Sequence, residues 1–294
     1  MDMDLSTPAS LTRKEIVDIA SMMHATALES LFVTTNWQAP QAVFHGGTAL
    51  SLARNSARFS EDLDFLVDEE SAREIESAMQ RTRKRMELKM GAYSPGCSIE
   101  MFGPKGQEVC AWDFRWSHPA RRGKVKVKVE FYVTKANVLN AYKALHIVPT
   151  VNGPVGISTP LPVPELVSAW ADKVKAIATR VGFKWRDAYD LSFIADCMRR
   201  ESEIPDEDRI AALETTGDIY GKSLEDIRAG LEETLSSGVF DRLDEFREDM
   251  RRWFDESVWK MHDDRHMFDA ALRKAKAEVE WTVARLSPEA GARP

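Results

Sequence analysis

Cysteine is scarce. The 294 residues hold three, Cys97, Cys110 and Cys197, an odd number with no pair at metal-ligand spacing. The plain reading is small buried apolar side chains in a reducing cytoplasm. A positive excess is also missing: 40 basic residues stand against 47 acidic ones, a formal net charge of −7. That argues against coating nucleic acid through bulk charge and leaves room only for local basic patches. No apolar run approaches membrane-spanning length, and the acidic start "MDMDLSTPAS" lacks the apolar core of a signal peptide. The expectation is a cytoplasmic protein with no membrane partner. No internal repeat is present. What the chain does have is ordinary for a globular protein: 44% hydrophobic and 30% charged residues.

Periodicity divides the chain in two. Residues 11–32 carry Ile16, Ile19, Ala20, Met23 and Ala27 at helical spacing. "QAVFH" (41–45) reads as a buried strand, Gly46-Gly47 as the turn after it, and Thr48 as the opening of a helix. "DLDFLV" (62–67) is the next strand, 71–90 a helix, and "KVKVKVEFY" (124–132) a strand of strict period two. Asn152-Gly153 predicts a hairpin turn. After Pro160, Pro162 and Pro164 everything reads as helical, in segments near 164–180, 186–200, 206–215, 222–235, 238–255 and 264–286. The expected domains are an α/β domain over 1–160, with an N-terminal helix, and a helical domain over 161–294.

Two aspartates stand one residue apart in an apolar strand. Residues i and i+2 of a strand point the same way, so Asp62 and Asp64 project together while Leu63 and Phe65 face the core. Two such carboxylates repel unless a cation lies between them, and a hard divalent ion, Mg²⁺ or Mn²⁺, suits oxygen ligands. Gly46 and Gly47 before a helix start would expose backbone N–H groups to an anion. A phosphate cradle beside metal-binding aspartates is the apparatus of phosphoryl or nucleotidyl transfer. Glu130, on the polar face of its strand, would complete a metal site. Each part alone has a plain alternative: a turn, a strand cap or a pair with Arg58, a solvated edge.

The run Gly46-Gly47-Thr48-Ala49-Leu50, then Arg58 and Ser60-Glu61-Asp62-Leu63-Asp64-Phe65, resembles the AbiEii-type nucleotidyltransferase toxins of the polymerase-β-like superfamily. A second block agrees: Lys173, Arg180 and Arg186-Asp187-Ala188-Tyr189-Asp190-Leu191. The resemblance covers roughly residues 40 to 200. It implies an α+β fold, a polymerase-β-like core of mixed sheet flanked by helices followed by a helical C-terminal domain that contributes Lys173 and Asp187 to the site. It implies an NTP bound with Mg²⁺ (or Mn²⁺), an acceptor attacking the α-phosphorus, and loss of pyrophosphate. Related toxins modify the tRNA 3′ end, and a cognate antitoxin is usual. The chain departs from the superfamily in having Gly46-Gly47 where Gly-Ser is common, so Thr48 or Ser60 would supply the hydroxyl. It also has Glu130 where Asp is usual, with Asp187 as its rival.

The resulting assignments are Asp62, Asp64 and Glu130 as metal ligands, and Gly46, Gly47, Thr48, Arg58, Ser60 and Lys173 at the nucleotide. Glu130 would also help deprotonate the acceptor. Lys173 shares the helix stripe Ala169, Lys173, Ala176, Arg180 and would neutralise pyrophosphate; otherwise it is a surface lysine paired with Asp172 or Glu165. Asp187 and Asp190 share a face, where one could hold Lys173. The clusters "RTRKRMELK" (81–89) and "RRGKVKVK" (121–128) are candidate contacts for RNA or an acidic antitoxin, or solvated faces. "HDDRH" (262–266) lacks the Glu of a zinc-protease helix and reads as solvated. Alternatives to an RNA-modifying toxin are transfer to a small hydroxylated compound such as an antibiotic, and a non-catalytic nucleotide- or RNA-binding protein.

Overall fold

Alternation in the strands decides which residues become the core of the first unit. The computed structural model describes residues 8–35, 37–106, 109–149, 156–201 and 204–287. The hairpin turn expected at Asn152-Gly153 lies outside them. The chain forms two compact units. The first takes residues up to Ala53, then Glu61–Thr134 and His146–Val163; the second takes Arg54–Ser60, Lys135–Leu145 and everything from Pro164 onward.

The first unit contains α1 (Arg13–Thr35), β1 (Ala42–His45), α2 (Gly46–Arg54), β2 (Asp62–Asp68), α3 (Ile75–Tyr93), β3 (Ser98–Lys105), β4 (Val109–Ser117) and β5 (Lys124–Thr134). The five strands make one mixed sheet in the order β1-β2-β5-β4-β3, in which only β2 and β5 run parallel. Phe44, Phe65 and Phe131 are partners across three strands, and their rings follow one another at 5.3 and 5.0 Å. Trp37, Trp112 and Phe32 close over this row at 5.7–6.0 Å. Leu63, Phe65, Val129 and Phe131 are fully buried. Helices α1 and α3 pack on each other and on this sheet.

α1 corrects one sequence expectation. It is long and apolar enough to cross a membrane, but 67% of its apolar window is buried inside the protein. Its hydropathy therefore serves the contact with α3 and the aromatic row.

The second unit is helical: α4 (Leu166–Thr179), α5 (Trp185–Glu201), α6 (Asp206–Tyr220), α7 (Leu224–Ser236), α8 (Leu243–Met250), α9 (Glu256–Asp264) and α10 (Met267–Leu286). α4 packs against α5, α6 and α7, and α10 against α5 and α7. Gly230 of α7 lies so close to the Ala178 carbonyl of α4 that no Cβ fits between them. The single helix expected over 238–255 is instead a short 3₁₀ turn and α8, and α9 was not foreseen. Asp255 starts α9 by accepting the Ser257 N–H at 3.0 Å, and His266, at φ 53°, ends the turn after it. His262 and His266 therefore do not share a helix, which disposes of the zinc-protease pattern.

Phe131→Ala should destabilise the first unit by about 3–5 kcal/mol through the cavity it leaves in the aromatic row. Urea unfolding followed by tryptophan fluorescence measures this; a change below about 1 kcal/mol would mean that the row does not hold the sheet.

Candidate active site

Asp62 and Asp64 lie at the start of β2, the sheet's second strand. Both are half-buried on the face opposite the aromatic row, whereas Leu63 between them is fully buried. Asp64 stands in one row with His45 on β1 and Glu130 on β5; Asp62 stands in the next with Lys128 and Asp113. Period-two pairing thus brings four carboxylates, His45 and Lys128 to one face.

The backbone under the two aspartates is fixed from below. His24 of α1 donates from Nε2 to the Glu61 carbonyl at 2.9 Å, and the Thr48 hydroxyl donates to the Asp62 carbonyl at 2.5 Å. Thr48 is 2% exposed and spends its hydroxyl on this contact, so it anchors β2 instead of supplying the expected phosphate contact. Burial drives the His24 pKa down to about 4, against the Glu61 hydrogen bond that favours the charged ring. Gly46 adopts φ +79° as the first residue of α2, two residues before the expected helix start. A Cβ there would overlap Oδ2 of Asp64. Glycine is therefore required both by conformation and by the closeness of the carboxylate.

Glu130 departs from expectation. Its Oε1 pairs with the Lys128 ammonium at 2.5 Å. Lys128 also interacts with Asp62 and Asp113; burial opposes its charge, but these carboxylates, Glu130 foremost, hold its pKa above the ordinary lysine value. Among the described residues no group of three or more His, Cys, Asp or Glu side chains is gathered to hold a metal ion. Asp62 and Asp64 still fit a hard cation by chemistry: two oxygen donors share one strand face beside a glycine that clears space over one of them. Mg²⁺ commonly takes only one or two protein carboxylates and completes its shell with water and phosphate oxygens.

The remaining predicted residues gather inside the helical unit. Arg58 is 2% exposed and grips Asp190 with two hydrogen bonds of 2.9 and 2.8 Å, while its third nitrogen donates to the Phe59 carbonyl. Its guanidinium is fully engaged within the helical unit. Lys173, 7% exposed, lies between Asp187 at 3.1 Å and Asp190 at 2.8 Å, and Arg180 closes on Asp187 at 2.5 Å. The expected anion-facing stripe is thus a buried ion-pair network, and neither Asp172 nor Glu165 is the partner of Lys173. Asp172 instead accepts from the Tyr142 hydroxyl at 2.7 Å. Burial opposes the Asp190 charge, but Arg58 and then Lys173 outweigh it and bring the pKa down to about 2. Ser60 belongs to this unit by its segment. His24 was missed by sequence reasoning, and Lys128 was read only as part of the basic cluster 121–128. Lys128 was visible as the residue two before Glu130, and His24 carried no local signal.

The first unit is thus a mixed five-stranded sheet covered by helices, with an Asp-x-Asp on its second strand and a glycine pressed against it. Residues 31–276 match the profile of the nucleotidyl transferase AbiEii toxin family of Type IV toxin–antitoxin systems. The chain belongs to that family and is a nucleotidyltransferase; such a toxin implies an NTP substrate and a cognate antitoxin. Among solved structures, JHP933 from Helicobacter pylori is similar at 15% identity and TM-score 0.52, over 96% of this chain and 97% of that one. The nucleotidyltransferase toxin MenT4 (Rv2826c) of Mycobacterium tuberculosis H37Rv aligns at 19% identity and TM-score 0.48, over 92% and 94%. The first likeness supports the fold. No curated protein matches the chain.

Two predictions follow from these anchors. Because His24 is held neutral in the folded chain, the unfolded chain binds more protons between pH 6.5 and 4. Stability should therefore fall across that window as pH is lowered, by on the order of 2–3 kcal/mol. His24→Gln should flatten the slope; an unchanged slope would remove His24 as its cause. Asp190 acts in the same direction at lower pH: its contribution is present above pH 3.8 and is lost as pH falls from there through about 2. Lys173→Met should destabilise the helical unit by about 3–5 kcal/mol by leaving buried carboxylates underpaired, which thermal unfolding reads directly.

Proposed function

We propose that this toxin transfers a nucleoside monophosphate from an NTP to the 3′ end of an RNA, in the first instance tRNA, in a metal-dependent reaction in the cytoplasm. The observation that carries the proposal is the pair Asp62 and Asp64 on one strand face, with Gly46 packed so closely on Asp64 that only glycine fits.

In this reading Asp62 and Asp64 hold Mg²⁺ or Mn²⁺, which supplies Lewis-acid charge at the α-phosphoryl group when bound. Gly46 and Gly47 offer their N–H groups to the β- and γ-phosphates. The acceptor hydroxyl oxygen forms a bond to the α-phosphorus, the α–β anhydride bond breaks, and pyrophosphate departs with the bonding electrons. The hydroxyl proton passes to a carboxylate of the same face. Lys173 and Asp187, assigned to the site by the family resemblance alone, serve in this reading as the buried ion pair of the helical unit. Arg58 serves by fixing Asp190, and Glu130 with Lys128 forms a neutral flank.

The surface around β5 favours a polyanionic acceptor. Lys124 and Lys126 keep more than half of their side chains exposed although each faces a carboxylate. The Lys124–Glu100 pair is exposed on both sides and 3.9 Å long, so it is weak and yields readily to phosphate, whereas Asp113, which Lys126 faces, is buried. The first cluster is less available, since Lys89 pairs with Glu29 and Arg83 with Glu87.

The test is label transfer. Wild type with α-labelled NTPs, Mg²⁺ or Mn²⁺ and total cellular RNA should label a discrete RNA band, and the Asp62→Ala/Asp64→Ala protein should label none while keeping its melting temperature. Label in protein alone would retain the chemistry and refute the acceptor; no label under any metal would refute the enzyme. Glu130→Gln should lower turnover less than about tenfold, whereas Asp64→Asn should lower it more than about a thousandfold. Comparable losses would put Glu130 back among the metal ligands.

A further inference from the structure

A cavity of about 580 Å³ opens in the helical unit and shares no residue with the carboxylate face. Its volume falls in the range of small-molecule sites. Tyr189, Ser192 and His262 line it and are 7%, 3% and 5% exposed. None is a surface residue, yet each carries a polar atom with no hydrogen bond to any described residue. The Tyr189 ring packs edge-on against Phe254 and tilted against His262, contacts that leave its hydroxyl unused. Ser192 lies mid-helix without the usual bond back to the preceding turn. His262 donates from Nδ1 to the Val258 carbonyl at 2.8 Å, which leaves Nε2 as an acceptor in the neutral ring. None of the three atoms is among the enclosed polar atoms that lack a partner, so they reach the open space of the cavity. Three polar atoms that open on one cavity instead of bonding to protein are donors and acceptors available to a ligand there.

The mouth has the opposite character. Arg199, Arg200 and Lys274 stand there with one carboxylate, Asp196, which takes hydrogen bonds from Arg199 at 2.7 Å and Lys274 at 2.5 Å. Three cations against one anion leave a positive rim. Between rim and floor the wall is apolar, from Phe193 and Met267. A positive mouth, an apolar wall with one aromatic plane, and a floor of two hydroxyls and a ring nitrogen match a flat heterocycle carrying a phosphate. A lone phosphate would leave the floor unsatisfied, and an apolar ligand would leave both ends unsatisfied.

We propose that this cavity binds a nucleoside monophosphate unit, with the base on the Tyr189, Ser192 and His262 floor and the phosphate at the Arg199–Arg200–Lys274 rim. The unit is either a free mononucleotide or the end of an RNA strand, which share this chemistry.

The experiment uses the full chain carrying Asp62→Ala and Asp64→Ala, in EDTA, so that binding is read without transfer and independently of whether the wild type transfers at all. AMP, GMP, CMP, UMP, hexauridylate and inorganic phosphate are titrated by calorimetry. At least one mononucleotide, or the oligonucleotide, should bind. Tyr189→Phe and Arg200→Glu, each added to that background, should weaken it about tenfold or more at unchanged melting temperature. Tighter binding of the oligonucleotide assigns the cavity to a strand end, and tighter binding of a mononucleotide to a free nucleotide. The proposal is overturned if none binds, if phosphate alone binds as tightly, or if both substitutions leave the affinity unchanged.

Discussion

The parallel pairing of β2 with β5 is the constraint on which the site depends. In this register Phe65 meets Phe131 on one face and Asp64 meets Glu130 on the other. A slip of one residue would drive the carboxylates into the aromatic row and the rings into solvent, so packing energy fixes the placement of the charges. His24 and Thr48 add to this from beneath, because each holds a carbonyl at the entry to β2. The carboxylate face is thus held by residues that never reach it.

The helical unit handles charge differently. Arg58, Lys173, Asp187 and Asp190 are all nearly inaccessible, and two cations meet two carboxylates within hydrogen-bond distance. Removing charges from water is expensive, and their mutual attraction offsets it only when every polar atom is engaged. The bidentate grip of Arg58 on Asp190 and the placement of Lys173 between two aspartates meet that condition. Arg180, half exposed, extends the network to the surface.

The aspartate pair, the sheet strands and the helical second half were legible because each rests on a local period: two for strands, 3.6 for helices. What escaped was set by contacts distant in sequence. The burial of Lys173 depends on partners one helix away, and that of Arg58 on Asp190, 132 residues on. Charge alone made both look like ligand contacts. Glu130 was read from its own strand face, but the competing Lys128 on the same face had equal claim to it. The break before α9 turns on a single cap at Asp255, a signal weaker than the surrounding helical pattern. α1 shows the converse error, since its hydropathy suits a lipid environment as well as a protein interior and only its neighbours distinguish the two.

The segment Arg54–Ser60 belongs to the helical unit although sheet strands precede and follow it in the chain. The gene therefore cannot be divided with one cut into a sheet module and a helical module. A fragment ending near residue 160 would carry the Arg58 guanidinium without Asp190, and the complementary fragment would carry Asp190 and Lys173 without Arg58. A single crossover near residue 160 of this chain would separate the Arg58 guanidinium from the Asp190 carboxylate it grips, 132 residues on.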